Sequence, residues 1–579
     1  MSQPPRPDWD FDYRPATPPW PEVEGARDVI VAAAAQVPEP LLREALAARA
    51  RLVSVREVLA CPPLFWWRVH VAAPVAEEVF AEAFAAAGAD VRYVTPASIG
   101  SQRWAPPFAP LRSKPSGSSW SPRPRTEGRE PRDGGSWFLG AAGGGVDADR
   151  PITGTGAGTR LAVIDDDAAG AAALALDAEL LVDLVAPPRA QAHGSLMVAW
   201  AVGAARAEPP FRGVAPDASP RLYLIPKPGL SVVSLPLAIV RAVRDGADAI
   251  VCATYVEGTW SPLFDDALAY AERCGRAGRG TVVVLPAGRE ASSPPGSVHA
   301  SFTLSFGDPA ADPRVVCVAP GGHRGGWFFY RDRKQRARPF ANRGPSVRLL
   351  APGDDVAYPL DPTGRLSHAE SSGASAIAAG VAALVLAVNP TLRLRELIAL
   401  LETTARDVDP AADPALAPFA DLHDTRPSSL DADRHNAKHG YGALTASRAC
   451  LAAADPVSWA LVRIGEIAAA RAFHELRARG SAPSAPAYSQ DLARWMVRAL
   501  VMDPRASHAA RALVRHARLL SPHPRRREAF PGGALARQVA LLLRGFLEGT
   551  AIGAPPPRLR REIFAHLDRI ARRPSIEQA

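Results

Sequence analysis

Residues 158–167 read GTRLAVIDDD, an aliphatic run at 161–164 that stops on three carboxylates. A short apolar run behind a Gly-rich turn reads as a strand covered on both faces, with Asp165 at its carboxyl end. Similar runs recur at 222–225, 249–253, 281–286, 315–319 and 347–350. Helical patterns alternate with them, following His193, Ser231, Leu263, Ser372 and Leu394. This alternation predicts an α/β fold, a mostly parallel sheet with helices on both faces. Ligands of such sheets bind beyond the carboxyl ends of the strands, which is where Asp165 stands.

Two other segments put chemistry at element ends. In AHGSLMVAWAVGAA (192–205), His193 opens a helix. In ESSGASAIAAGVAALVLAVNP (370–390), Ser372 precedes a long helix of small residues. A Ser hydroxyl is a weak nucleophile until a neighbouring base takes its proton, and His is that base near neutral pH. A buried carboxylate fixes the tautomer of the His and stabilises its imidazolium. A helix N-terminus beside the Ser favours a developing oxyanion. Singly, each residue has an ordinary reading: a turn Asp, a capping His-Gly, an N-cap Ser. Asp165, Asp166 and Asp167 together also suggest a cation site.

The three segments together resemble the subtilisin-like (subtilase) serine peptidases. Their motifs run approximately V-I-D-[TS]-G, H-G-T-H-V-A-G and G-T-S-M-A-[AS]-P, in the chain order Asp, His, Ser. RGVAPDASPRLYLI, FANRGPSVRLLAPGDDV and HGYGALTASRAC are similar to further stretches of the family, so the likeness spans about 151–452. It implies a subtilisin-like fold, a serine endopeptidase, and Asp165, His193 and Ser372 as catalytic residues. Structural calcium is common in the family, but no ligand set here supports it. No cofactor or metal site is expected.

Five departures matter. Glu370 and Ser371 stand where Gly and Thr are usual, and Asp167 replaces a Gly. Leu196 replaces the family's second, non-catalytic His. Thr254-Tyr255-Val256 replaces the usual substrate-pairing segment, so cleavage specificity does not carry over. In PAGRE, Arg289 occupies the position of the Asn that completes the oxyanion hole. Losing one such donor typically costs roughly 2.7–4 kcal/mol, about 10²–10³ in turnover. Arg, however, is itself a charged donor, so an inward Arg289 supports the oxyanion and an outward one leaves the hole half empty. The second reading is a catalytically degenerate scaffold or interaction protein on the same fold.

The remaining chain divides by composition. Residues 1–26 read as an irregular leader. Residues 27–100 read as a small α+β module: ARDVIVAAAAQVPEPLLREALAARARL helical, FWWRVHVAA a strand, PVAEEVFAEAFAAAGA a helix stopped by Gly88, and DVRYVTP a strand. The module resembles the family's inhibitor-like prodomain. Residues 101–150, rich in Pro, Ser, Gly and Arg, read as a flexible linker whose cleavage would activate the enzyme. Residues 151–452 form the peptidase domain. Residues 453–579 read as amphipathic helices and a surface for a protein partner.

Composition limits the other function classes. The 579 residues carry 67 basic and 59 acidic side chains, a net charge of +8, but only four of the basic residues are Lys. That Arg bias reads as coding bias, and no nucleic-acid-binding motif accompanies it, so a polypeptide substrate is expected and nucleic acid is not. The apolar run 374–388 is shorter than the roughly 18 residues a membrane span needs, and the N-terminus lacks a secretory pattern, so a cytoplasmic, non-membrane protein is expected. Five widely spaced Cys form no disulfide framework, and Cys252 and Cys317 read as core residues. GTGAGT (154–159) precedes its strand, which is wrong for a dinucleotide loop. HNAKH (435–439) and PHPRRR (522–527) read as solvated loops.

Overall fold

The computed structural model describes residues 27–96, 138–140, 145–149, 153–165, 178–180, 193–204, 210–225, 233–253, 261–288, 309–322, 329–331, 337–339, 346–353, 356–357, 366–367, 369–406, 408 and 439–454. The leader, the C-terminal stretch read as helical and PHPRRR lie outside the described residues.

The N-terminal module comprises β1 (Asp28–Ala33), α1 (Glu39–Ala47), β2 (Leu52–Cys61), β3 (Leu64–Val71), α2 (Glu77–Ala86) and β4 (Val91–Pro96). Its four strands form an antiparallel sheet in the order β2-β3-β1-β4. The segment beginning at Ala26 is therefore not helical throughout. It opens as strand β1, and only its middle is α1. The reason is burial on both faces. Val29, Val31 and Ala33 pack on α1 and α2 beside Leu42, Phe80 and Phe84. Ile30 and Ala32 face the other way, into the next layer. An inner strand covered on both sides shows no polar alternation, and Ala34-Ala35 carry the apolar run past its end. Gly88, at φ +96°, supplies the left-handed residue just past α2 that ends the helix.

Among the described residues the main sheet of the larger domain has seven strands: β5 (Arg160–Asp165), β6 (Ala178–Leu180), β7 (Ser219–Leu224), β8 (Ala249–Cys252), β9 (Val282–Pro286), β10 (Val315–Gly321) and β11 (Leu349–Pro352). They lie in the order β11-β10-β9-β8-β5-β7-β6, and every pairing is parallel. Its helices are α3 (His193–Ala201), α4 (Ser234–Arg244), α5 (Pro262–Gly278), α6 (Glu370–Val388), α7 (Leu394–Thr404) and α8 (Ala446–Ala454). The chain runs outward from β5 on one side, then returns to β8 on the other. This places a topological switch point between β5 and β8. The sequence reading contained neither the short strand β6 nor α8.

Side chains alternate across the sheet. Leu161, Val163, Leu222, Val251, Val284 and Val316 face α3, α6, α7 and α8. Ala162, Ile164, Ile250, Val283, Leu285 and Cys317 face α4 and α5. Helix α6 is long and apolar enough to cross a membrane by length and composition, yet 83% of its most apolar window is buried in the protein. Its small residues explain its place. A Cβ on Gly373 would lie 3.0 Å from Trp200 Cζ3, and one on Gly380 2.8 Å from the Ala201 carbonyl, so both glycines let α6 lie directly on α3.

Two stretches depart from their sequence reading. Phe138, Leu139, Val146 and Ala148 are buried in the core beside α6, so the chain is already packed within the span read as linker. His439 is buried rather than in a solvated loop. The turn that carries it is tied down by Tyr441 N–H donating to the Arg348 carbonyl at 2.7 Å and Leu350 N–H donating to the Gly442 carbonyl at 2.9 Å.

The module's outer sheet face packs on the domain. Leu59, Cys61, Leu64 and Trp66 join the cluster that holds Leu263, Phe264, Ala267 and Leu268 of α5. Polar contacts pin the edge. Asp266 accepts from Arg92 at 2.7 and 3.1 Å and from the Tyr93 hydroxyl at 2.7 Å. The Cys61 thiol donates to the Tyr270 hydroxyl at 3.0 Å.

Candidate active site

Asp165 ends β5 at the switch point and is completely buried. Its backbone continues the sheet, accepting from Ile225 N–H at 2.7 Å. His193 opens α3, and its Nδ1 lies 2.7 Å from Asp165 Oδ2. Every residue of α3 after His193 is buried, so the helix is fixed and the ring is held by its base. His193 itself keeps 12% of its side chain exposed, enough for a reacting group to meet it. Leu196, one turn on, is fully buried; the position that carries a second His in the family is here part of the core.

Ser372 lies in the first turn of α6. Its hydroxyl donates to the Ala253 carbonyl at 3.1 Å. Ala253 follows β8, and its N–H donates to the Ile164 carbonyl at 3.2 Å, directly before Asp165. Asp165, His193 and Ser372 thus share the carboxyl edge of β5 and β8. The Asp–His pair is in hydrogen-bond contact. The Ser hydroxyl rests on the neighbouring strand's carbonyl, an acceptor that side-chain patterns do not reveal. Ser375, fully buried, donates to the Ser372 carbonyl at 2.6 Å and closes this turn.

The backbone leading into α6 is strained. Glu370 has φ +54°, a left-handed conformation costing an L-residue roughly 1–2 kcal/mol. Glycine would adopt it freely. Surrounding backbone holds it there: Glu370 N–H donates to the Gly353 carbonyl at 2.9 Å, and Gly373 N–H to the Ala369 carbonyl at 2.7 Å. Gly353, the glycine of the APG stretch, is required by the same crowding. A Cβ there would lie 2.8 Å from the Glu370 carbonyl and 2.3 Å from Pro320 Cβ.

Cys252, at the end of β8, is fully buried. Burial first, then the Asp165 carboxylate, pushes its thiol pKa up, so it remains a neutral core group. Among the described residues no group of three or more His, Cys, Asp or Glu side chains could hold a metal ion. Arg289, Asp166, Asp167 and Thr254-Tyr255-Val256 lie outside the described residues.

The Subtilase family profile matches residues 184–442, which include His193, Ser372 and five of the seven parallel strands. The chain carries a subtilase domain. No curated protein matches it. Among solved structures it is similar to fervidolysin from Fervidobacterium pennivorans, described as a keratinolytic enzyme related to subtilisin. That match has 18% identity and a TM-score of 0.45, and covers 74% of this chain and 61% of that one. It is also similar to a protease of Pseudoalteromonas arctica, at 19% identity and TM-score 0.38, covering 55% and 97% of the two chains. MycP1 from Mycobacterium smegmatis matches at 21% identity and TM-score 0.35, covering 52% and 85%. Within the subtilase domain, Glu370, Ser371 and Leu196 are the described departures from the family motifs quoted above.

Proposed function

We propose that the chain is a serine endopeptidase that hydrolyses peptide bonds through Ser372, His193 and Asp165. The observation that carries this reading is the 2.7 Å His193–Asp165 contact at the sheet edge where the Ser372 hydroxyl also lies. In the proposed cycle Ser372 Oγ turns from the Ala253 carbonyl to His193 Nε2. His193 takes its proton as Oγ attacks the scissile carbonyl, then returns it to the leaving amine. Asp165 holds the imidazole by Nδ1 and stabilises its cation. The N-terminus of α6, with Arg289, receives the oxyanion. Water then attacks the acyl-enzyme, and the same His removes its proton. The substrate is a polypeptide. The N-terminal module acts as an inhibitor-like prodomain, released when the chain between it and the domain is cut. The C-terminal stretch serves a protein partner, and the protein works in the cytoplasm.

The second reading, a non-catalytic scaffold, rests on Glu370, a charged residue held in a strained turn two residues before Ser372. Labelling with a fluorophosphonate probe separates the two. The proposal expects labelling of the parent protein that disappears in Ser372→Ala and His193→Ala. Equal labelling of Ser372→Ala overturns the assignment. No labelling of the parent, before or after cleavage within 105–137, establishes the scaffold.

A further inference from the structure

Of residues 369–386, all among the described residues, only Glu370 and Ser372 reach the surface. Ala369, Ser371 and every residue from Gly373 to Leu386 are buried. Two peptide units separate the two Cα atoms, a span of at most about 7.6 Å. The backbone fixes where Glu370 stands. Its N–H donates to the Gly353 carbonyl at 2.9 Å, and the Gly353 N–H donates to the Gly321 carbonyl at 2.9 Å. Gly321 ends β10 and Gly353 follows β11, so Glu370 lies over the carboxyl ends of those strands. Ser372 lies over the end of β8, on the Ala253 carbonyl. The first turn of α6 therefore crosses the carboxyl edge and opens to the surface with two side chains, a hydroxyl and a carboxylate. A chain that reaches the first also meets the second.

We propose that Glu370 selects the substrate, so that the domain cuts polypeptides beside an Arg or Lys whose cation pairs with the Glu370 carboxylate. This rests on the peptidase reading above. Attack by Ser372 places a negative charge on the carbonyl oxygen beside it. A fixed negative charge about 8 Å away, at an effective dielectric of about 20, opposes that charge by an energy worth roughly 30-fold in rate. A neutral substrate bears this cost. A basic side chain within reach cancels it and adds a charge-assisted hydrogen bond to the carboxylate. Discrimination then comes from a repulsion that only a cationic substrate removes, as well as from a new attraction. The position also costs the protein backbone strain, which a glycine would avoid and which a selecting carboxylate explains. The chain itself carries a substrate of this class. The span 105–137, whose cleavage would free the module, contains Arg112, Lys114, Arg123, Arg125, Arg129 and Arg132.

The test uses matched peptides, each with a single Arg or, in its place, the neutral and nearly isosteric citrulline, in an otherwise uncharged sequence. The full chain, before and after cleavage within 105–137, is incubated with each pair, and mass spectrometry reads cut sites and rates. The expected cuts fall within two residues of the Arg, with kcat/KM about 10- to 30-fold above that for citrulline. In Glu370→Gln, which keeps the side-chain shape, the ratio falls to about 2-fold or less, as the citrulline peptide speeds up and the Arg peptide slows. Glu370→Lys turns the preference against Arg.

Equal rates for Arg and citrulline in the parent overturn the selection without any variant being needed, and leave the peptidase reading standing. An Arg preference unchanged in Glu370→Gln also overturns it, since another group then reads the cation. Fluorophosphonate labelling of Ser372 without hydrolysis of the Arg peptides overturns the selection and keeps the activated serine. Neither labelling nor hydrolysis overturns both readings.

Discussion

Replacing Arg92 should loosen the module more than replacing its partner Asp266. The two side chains form a bidentate ion pair at 2.7 and 3.1 Å, and the Tyr93 hydroxyl adds a third bond to the same carboxylate at 2.7 Å. The pair is lopsided, since the Asp266 side chain is 8% exposed and that of Arg92 39%. In Asp266→Ala, Arg92 turns to water and the loss falls mainly on the Tyr93 hydroxyl. That group is buried, and its pKa is raised first by burial and then by Asp266. One buried hydroxyl without an acceptor, with a half-solvated ion pair gone, amounts to about 2 kcal/mol. In Arg92→Ala, docking buries a carboxylate with only Tyr93 to offset it. Leaving a buried charge without its partner typically costs about 3–5 kcal/mol, and Tyr93 holds the figure near 3. At about 1.4 kcal/mol per decade, the docking constant falls roughly 30-fold in Asp266→Ala and roughly 100-fold or more in Arg92→Ala. The assay uses a protease site placed within 105–137. The chain is cut, diluted in steps under reducing conditions, and the dissociated module quantified by size exclusion. Asp266→Ala weakening docking as much as Arg92→Ala, or more, refutes the burial argument. No effect from either refutes the docked arrangement.

Two substitutions test the strained and crowded entrance to α6. Glu370→Gly removes a left-handed L-residue but gives the unfolded chain more freedom, for a net stabilisation of about 0.5–1 kcal/mol by denaturant titration. Destabilisation beyond 1 kcal/mol, roughly the size of that gain, would show that the Glu370 side chain makes contacts worth more than the strain. Gly373→Ala places a Cβ 2.3 Å from Ala369 Cβ and 3.0 Å from Trp200 Cζ3, so overpacking should cost about 1–3 kcal/mol. The variant should also shift Ser372 and slow fluorophosphonate labelling; unchanged stability and labelling would mean that the α3–α6 contact yields without strain.

The parallel strands were legible because both their faces are apolar, so Leu161, Val163, Ile164, Val251 and Val284 stand in short unbroken runs. The same property misled at β1, where Asp28–Ala33 is apolar on both faces and runs on into Ala34-Ala35, so no polar alternation marks it as a strand. Strand β6 has three residues, too few to carry a period. At the site, Asp165 and His193 were legible as chemical groups at the ends of elements, and the structure brings them to 2.7 Å. The Ala253 carbonyl was not, since a backbone acceptor leaves no mark on side-chain pattern. Nor was the left-handed turn at Glu370, because Glu does not announce a positive φ as Gly does. What held that turn was distant in sequence: the Gly353 carbonyl at the end of β11.

Two features of the edge bear on whether this subtilase domain does chemistry. Asp165 is fully buried, and a carboxylate removed from water costs several kcal/mol unless partners offset it. On a fold kept only as scaffold, a well-packed apolar residue at that position would be neutral or stabilising. The domain instead holds the carboxylate against an imidazole that stays 12% exposed at the mouth of the edge. Beside it, Glu370 occupies a conformation costing roughly 1–2 kcal/mol, in the turn that launches the Ser372 helix. Stability alone selects neither arrangement. Buried charge and backbone strain, concentrated within one sheet edge, are what a site arranged for reaction retains at the expense of stability. The strain at Glu370 therefore weighs toward the peptidase as much as its charge weighs toward the scaffold. Fluorophosphonate labelling of Glu370→Gly separates the two effects: faster labelling than the parent identifies the carboxylate as a brake on an active site, and slower labelling identifies the strained turn as part of what holds Ser372 in place.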